Sequence, residues 1–155
     1  MTKEVMRRLA TDNAYLHKDF HGALSDGLIY LEQRYGGEAV REYLRQFATA
    51  FYAPLTQSIR ERGLAALQEH IERAYALEGG DIRIAGSEDE MLLEVASCPA
   101  VTHMREAGYA VAPLFGETSK TVYETICAGT PFACQWLHYD ETAGRAAVRF
   151  YRGQP

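Results

Sequence analysis

An α+β fold is predicted for this chain: three N-terminal helices, then ββ-αα-ββ, with a small antiparallel sheet covered on one face. Three observations carry the prediction. Apolar residues recur at helical spacing from about residue 13 to residue 78. After Gly79-Gly80 the period falls to two, with Ile82 and Ile84 flanking Arg83. A second alternating pair, Phe132 to Tyr139 and Ala146 to Arg152, ends the pattern after two short helical stretches.

Residues 1–11 carry only weak periodicity (Val5, Met6, Leu9), enough for a short amphipathic arm. Asp12 and Asn13 are suitable N-caps for a helix over 13–35, which Gly36-Gly37 stops. So short a connection predicts that the first two helices pack as an antiparallel pair. The second helix spans 38–61, with Val40, Tyr43, Leu44, Phe47, Phe51 and Leu55 on the inward face. Pro54 removes a backbone donor inside it, so a kink or break is expected between about 50 and 54. Gly63 then introduces a third helix, 64–78, with Leu64, Leu67, Ile71, Ala74 and Tyr75 inward.

The first hairpin joins Ile82–Ile84 to Met91–Val95 through a turn at Gly86 to Asp89. Cys98-Pro99 ends its second strand, and Pro99 suits the first turn of a short helix that carries Val101, His103 and Met104 and stops at Gly108. A helix over about 117–128 follows, with Val122, Tyr123, Ile126 and Cys127, until Gly129-Thr130-Pro131. The last hairpin turns at residues 140–144.

With 155 residues, 47% of them apolar, the chain can bury a core as one domain, 1–155, with a helical half (1–80) and a mixed half (81–155). Sixteen basic residues against 21 acidic ones, with no basic run interleaved with aromatics, argue against nucleic acid as a partner. No apolar run is long enough for a bilayer and no signal-peptide core is seen, so no membrane partner and a cytoplasmic location are expected. Three widely spaced cysteines without a Cys-x-x-Cys pair signal neither a disulfide framework nor a zinc ribbon. Self-association is compatible with the sequence.

The densest chemistry lies in His17-Lys18-Asp19-Phe20-His21. His17 and His21 stand four apart on one helical face, continued by Leu24, Leu28 and Leu31, so both imidazoles head towards the core and need partners. The candidate partners are Cys98, Cys127, Cys134, Glu117 and Glu124. The spacing also suits two ligands of a divalent metal, but no fixed third ligand accompanies it, and no cofactor is required. Acid–base work with Asp19 orienting a histidine is a further reading, and structural histidines bonded to carbonyls are another. Cys98, at a strand-to-helix corner, is a candidate nucleophile whose pKa the helix N-terminus would lower, and equally a packed thiol. Cys127 and Cys134 are assigned to packing, and His70, His103 and His138 to the surface. Arg83 and Arg105 could hold a substrate carboxylate, while Tyr15, Tyr43, Phe47, Phe51 and Tyr52 could wall a pocket.

The blocks Tyr15-Leu16-His17-Lys18-Asp19-Phe20-His21, Tyr35-Gly36-Gly37-Glu38-Ala39-Val40, Phe51-Tyr52-Ala53-Pro54-Leu55 and Cys98-Pro99-Ala100 resemble the small bacterial family of L-2-amino-thiazoline-4-carboxylic acid hydrolases. The order of helices and sheet is also similar to vinyl-reductase-type ligand-binding domains. The first resemblance implies a hydrolase that opens a cyclic thiazoline carboxylate on the route to cysteine. Such a reaction needs a base or nucleophile at the ring carbon, an acid for the leaving sulfur and a cation for the carboxylate. On that reading His17, His21, Cys98 and Asp19 are catalytic, while Tyr15, Phe47, Phe51 and Arg105 bind substrate. The competing expectation is a non-catalytic small-molecule or metal-binding sensor domain using the same pocket.

Overall fold

Ten elements follow one another in the computed structural model, which describes residues 18–153: α1 (Asp19–Tyr35), α2 (Gly37–Phe51), α3 (Ala53–Arg62), α4 (Leu64–Glu78), β1 (Ile82–Gly86), β2 (Glu90–Val95), α5 (Pro99–Ala107), α6 (Glu117–Ala128), β3 (Phe132–Asp140) and β4 (Arg145–Arg152). The fold is α+β, as the change of period predicts. Its helical half holds four helices rather than three, because the segment read as one helix over 38–61 breaks at Tyr52, with Pro54 in the first turn of α3. Gly36 alone joins α1 to α2, at φ 86° and ψ 169°, a conformation open only to glycine. The two helices are in contact. Tyr15 and His17, and the beginning of the helix expected from residue 13, lie outside the described residues. No helix among the described residues is long and apolar enough to cross a membrane.

The buried face of α2 is Val40, Leu44 and Ala48, not the aromatic row. Phe47 and Phe51, stacked at 5.1 Å, are 39% and 64% exposed, and Tyr43 is exposed beside them. Small and aliphatic residues let α2 approach α6 and α1 closely, which leaves the bulky rings on the flank. Arg41 crosses to α6, where its Nε donates to Glu117 at 3.1 Å, and Thr121 donates to the same carboxylate at 2.6 Å. That network takes up Glu117, one of the expected histidine partners.

The four strands form one antiparallel sheet in the order β1-β2-β4-β3. Two local hairpins are thus sewn together by the β2–β4 pairing, in which Met91, Leu93 and Val95 face Phe150, Val148 and Ala146. These six are buried, which identifies the inner face. On the other face Arg149 holds Glu90 through two bonds of 2.8 and 3.0 Å and lies 4.5 Å over the Tyr151 ring. Residues of β3 join the inner face in turn: Cys134 opposite Phe150, Trp136 opposite Val148, and then, past a bulge, Tyr139 opposite Ala146. Leu137 is the extra residue of that bulge. Strict alternation from Trp136 would point Tyr139 outwards, so the inserted residue is what returns its ring to the core.

Candidate functional site

Cys98 stands at the corner between β2 and α5, in extended conformation (φ -79°, ψ 119°), as the N-cap of the helix that Pro99 begins. Its backbone N–H donates to Ala143 O at 2.9 Å, so the β3–β4 turn is fastened over it. Gly144 closes the contact: with φ 68° and no room for a Cβ against Cys98 Cβ, the position accepts glycine alone. The sequence predicts a lowered thiol pKa here, and the opposite holds. Burial pushes the Cys98 thiol up; hydrogen bonds from the backbone of Val101 and Ala100 only partly offset this, and the charge of Glu78 adds to it. The helix N-terminus is present, but the loss of solvent outweighs it.

Beneath that corner lies a small cavity of about 20 Å³, between α6 and the inner face of the sheet, with Cys98, Tyr75, Tyr123, Trp136, Tyr139 and Ser119 among its walls. Such a volume holds about one water. Tyr123 is wedged between Phe150 (5.4 Å, edge-on) and Trp136 (6.4 Å, nearly parallel), and Trp136 meets Tyr139 edge-on at 6.0 Å. Burial holds the Tyr75 and Tyr123 phenols protonated far above the ordinary range and brings Tyr139 to about 12. The cavity is therefore lined by neutral hydroxyls, one neutral thiol and aromatic faces, with no charged side chain in its wall. Among the described residues one buried side-chain nitrogen has no hydrogen-bond partner, and it is Trp136 Nε1. An unmatched donor at this depth costs about 1–3 kcal/mol.

His21 meets a partner the sequence does not suggest. Its Nε2 lies 3.2 Å from each carboxylate oxygen of Glu78, the last residue of α4. Glu78 is also the carboxylate whose charge acts on Cys98 and Tyr75, so it links the histidine to the thiol corner. Nothing in the spacing of Glu78 distinguishes it from the exposed acids around it; only the tertiary approach of the end of α4 to the beginning of α1 does. Asp19 does not orient His21: it pairs with His103 Nε2 at 3.0 Å, at a partly exposed position, and so ties α5 to α1. Phe47, Phe51 and Arg105 are not part of the cavity wall. Arg105 instead donates to Glu141 O at 3.4 Å, on the same turn that covers Cys98. His70 is half-buried with its ring edge-on to Tyr52 at 5.5 Å, not a surface residue.

No group of three or more His, Cys, Asp or Glu among the described residues is placed to hold a metal ion. A wider, open groove of about 520 Å³ runs past Arg60, Arg62 and Arg152. All three arginines are engaged, by Gly129 O, by Glu69 and by Asp89 respectively, and the groove also carries Glu61 and Glu88. No protein-family model and no curated protein matches the chain.

Proposed function

We propose that this chain is a small-molecule-binding domain whose ligand occupies the cavity under Cys98 and accepts a hydrogen bond from Trp136 Nε1. The unpartnered indole N–H, on a side chain that lines the cavity together with the Cys98 thiol and three tyrosines, is the observation that carries the reading. A donor without an acceptor favours any compound that brings one. Because the wall is uncharged, the fitting chemistry is a small neutral, planar compound presenting a carbonyl, thiocarbonyl or ring nitrogen; a carboxylate would be buried there without a counter-charge. A ligand larger than one water enters with the 140–144 turn displaced from Cys98 and α5, where the Cys98–Ala143 backbone hydrogen bond, the Gly144 contact and the Arg105–Glu141 bond hold it.

The hydrolytic reading has its own support. His21 and Glu78 form an imidazole–carboxylate pair whose charge reaches Cys98, and Arg105 is held by the very turn that must move. With the turn displaced, the arginine supplies the cation that a thiazoline carboxylate needs, and His21 can pass a proton to or from water while Cys98 or water attacks the ring carbon.

One experiment separates the two. Trp136 is the sole tryptophan, so its fluorescence reports on the cavity directly. Titration with neutral cyclic amides and amidines and with thiazoline carboxylates should shift Trp136 emission for the neutral set, and calorimetry on Trp136→Phe should show about tenfold weaker binding. Emission that stays constant at saturating concentrations of every compound removes the binding reading. Accumulation of ring-opened product from a thiazoline carboxylate, lost in Cys98→Ala and His21→Ala, replaces it with the hydrolase.

A further inference from the structure

The β3–β4 hairpin is longer than the sheet that carries it. β2 ends at Val95, opposite Ala146, so β4 is held from that side only from Ala146 onwards, and residues 140–145 project beyond the ladder. Asp140 and Arg145 pair with each other there, and among the described residues no other strand flanks them. The projecting end is braced within itself: Gly144 N donates to Asp140 O at 2.8 Å, and Thr142 N donates to Asp140 Oδ1 at 2.9 Å. Its hydrogen bonds to the helices are slighter, from Cys98 N to Ala143 O at 2.9 Å and from Arg105 to Glu141 O at 3.4 Å. Glu141, Thr142 and Arg145 are exposed. At the root of this end stands half-buried Tyr139, whose ring lies on Gly116, the N-cap of α6. A Cβ at Gly116 would come within 2.7 Å of Tyr139 Cε1, 2.8 Å of Cζ and 3.0 Å of the hydroxyl oxygen. The Gly116 backbone is ordinary right-handed helix (φ -57°, ψ -25°), so the ring and not the backbone excludes a larger residue. The hairpin end therefore rests on the beginnings of two helices, through Tyr139 on Gly116 and through Gly144 on Cys98, and all four residues line the cavity.

We propose that residues 139–145 are a flap hinged at the Tyr139–Ala146 pair, and that Tyr139 is its gate: the ring leaves Gly116 as the Cys98–Ala143 bond opens, and the ligand passes between them. The inference rests on the cavity being the ligand site and adds the way in. A braced segment that overhangs its sheet and is fastened by few bonds opens as a unit, far more often than the whole chain unfolds. An open population on the order of 0.1–10% is enough for a ligand to draw upon. With the flap down the cavity holds about one water. With the ring lifted, the wall over Gly116 is gone and a planar compound can reach the indole. Trp136 does not travel with the gate, because it lies before the bulge, opposite Val148, which β2 holds through Leu93. The hydrogen-bond donor thus stays fixed while the neighbouring ring moves, and opening of the flap sets how often the site can fill.

The test is hydrogen exchange of the ligand-free chain, followed amide by amide by NMR. The Cys98 amide, whose bond spans the opening, should exchange at least about tenfold faster than the amides of the central β2–β4 ladder. The Gly144 amide, bonded within the flap, should be slower than Cys98. Gly116→Ala, which pushes the Tyr139 ring away, should raise the Cys98 rate by about another tenfold and leave the ladder unchanged, although the two positions begin different helices. In a Tyr139→Ala background the same substitution should have no effect on Cys98. A wild-type Cys98 amide as slow as the ladder overturns the proposal, even if the variants fail to fold. So does a Gly144 amide as fast as Cys98, which is fraying and not a flap, and so does a response to Gly116→Ala that persists without the tyrosine ring. Because no ligand is present, the outcome is separate from the emission titration. A Trp136 shift with a slow Cys98 amide removes the flap and keeps the binding site; a fast Cys98 amide with constant emission keeps the flap and removes the ligand.

Discussion

His21 Nε2 sits equidistant, at 3.2 Å, from the two carboxylate oxygens of Glu78, so one side-chain pair joins the beginning of α1 to the end of α4. Both side chains keep only about a fifth to a quarter of their exposure (19% and 25%), which limits screening by solvent. A double-mutant cycle on His21→Ala and Glu78→Gln should give a coupling of about 1 kcal/mol, with each single variant melting a few degrees lower. Additive single effects would mean that the two groups are merely neighbours.

Ser25 is completely buried, and its hydroxyl serves two backbone groups of the segment after α5: it donates to Ala110 O at 2.6 Å and accepts from Ala112 N at 2.7 Å. Ser25→Ala leaves both without a partner and should cost about 3 kcal/mol in denaturant unfolding. Ser25→Cys, which keeps the size but weakens the bonds, should fall between. A loss under about 0.5 kcal/mol for the alanine variant would show that the 110–112 segment does not depend on this bridge.

The raised pKa of Cys98 sets its alkylation profile. With the folded thiol held above the ordinary 9.0 by burial, iodoacetamide should modify Cys98 slowly at neutral pH and faster only as pH climbs past that value. In denaturant the same residue should react as an ordinary thiol. Gly144→Ala, which forces the turn off Cys98, should quicken the folded-state reaction. Rapid modification of the folded wild type at neutral pH would mean that the helix N-terminus prevails over desolvation after all.

His70 predicts an acid-side loss of stability. Burial, then the charge of Arg73, hold its pKa below the ordinary 6.5. As pH falls through 6.5 the unfolded chain takes up a proton that the folded one resists, so stability is full above that point and declines below it until the folded imidazole also protonates. His70→Phe should flatten the drop in melting temperature between about pH 7 and pH 5.5. Carboxylates paired with arginines, such as Glu38, Glu69 and Glu90, are held below 4.5 and act only at lower pH. Superimposable pH profiles of variant and wild type would discount His70.

The residues that act through the backbone were the legible ones. Gly36, Pro54, Gly63, Gly79 and Pro99 mark helix ends within a residue or two, since missing donors and left-handed caps act locally. The alternation of Ile82 and Ile84 marks β1 for the same reason. Faces were harder. The α2 pattern contains an aliphatic row (Val40, Leu44, Ala48) and an aromatic row (Tyr43, Phe47, Phe51) side by side, and only the proximity of α6 decides which is buried. The candidate site was legible as far as Cys98. Its other members depend on events with no local signature: the extra residue Leu137 that turns Tyr139 inwards and the tertiary contact that brings Glu78 to His21.

Leu137 has a second effect, on how copies of this chain meet at high concentration. β1 and β3 are the outer strands of the sheet, each with one row of backbone donors and acceptors facing away from its neighbour. β1 offers only five residues to an approaching strand. β3 is longer, at nine, but the bulge at Leu137 interrupts its repeat midway, so a straight strand cannot stay in register along it. The residue that aims a tyrosine into the cavity therefore also blunts the longer edge against cross-chain sheet extension, a protection against aggregation achieved by geometry rather than by charge.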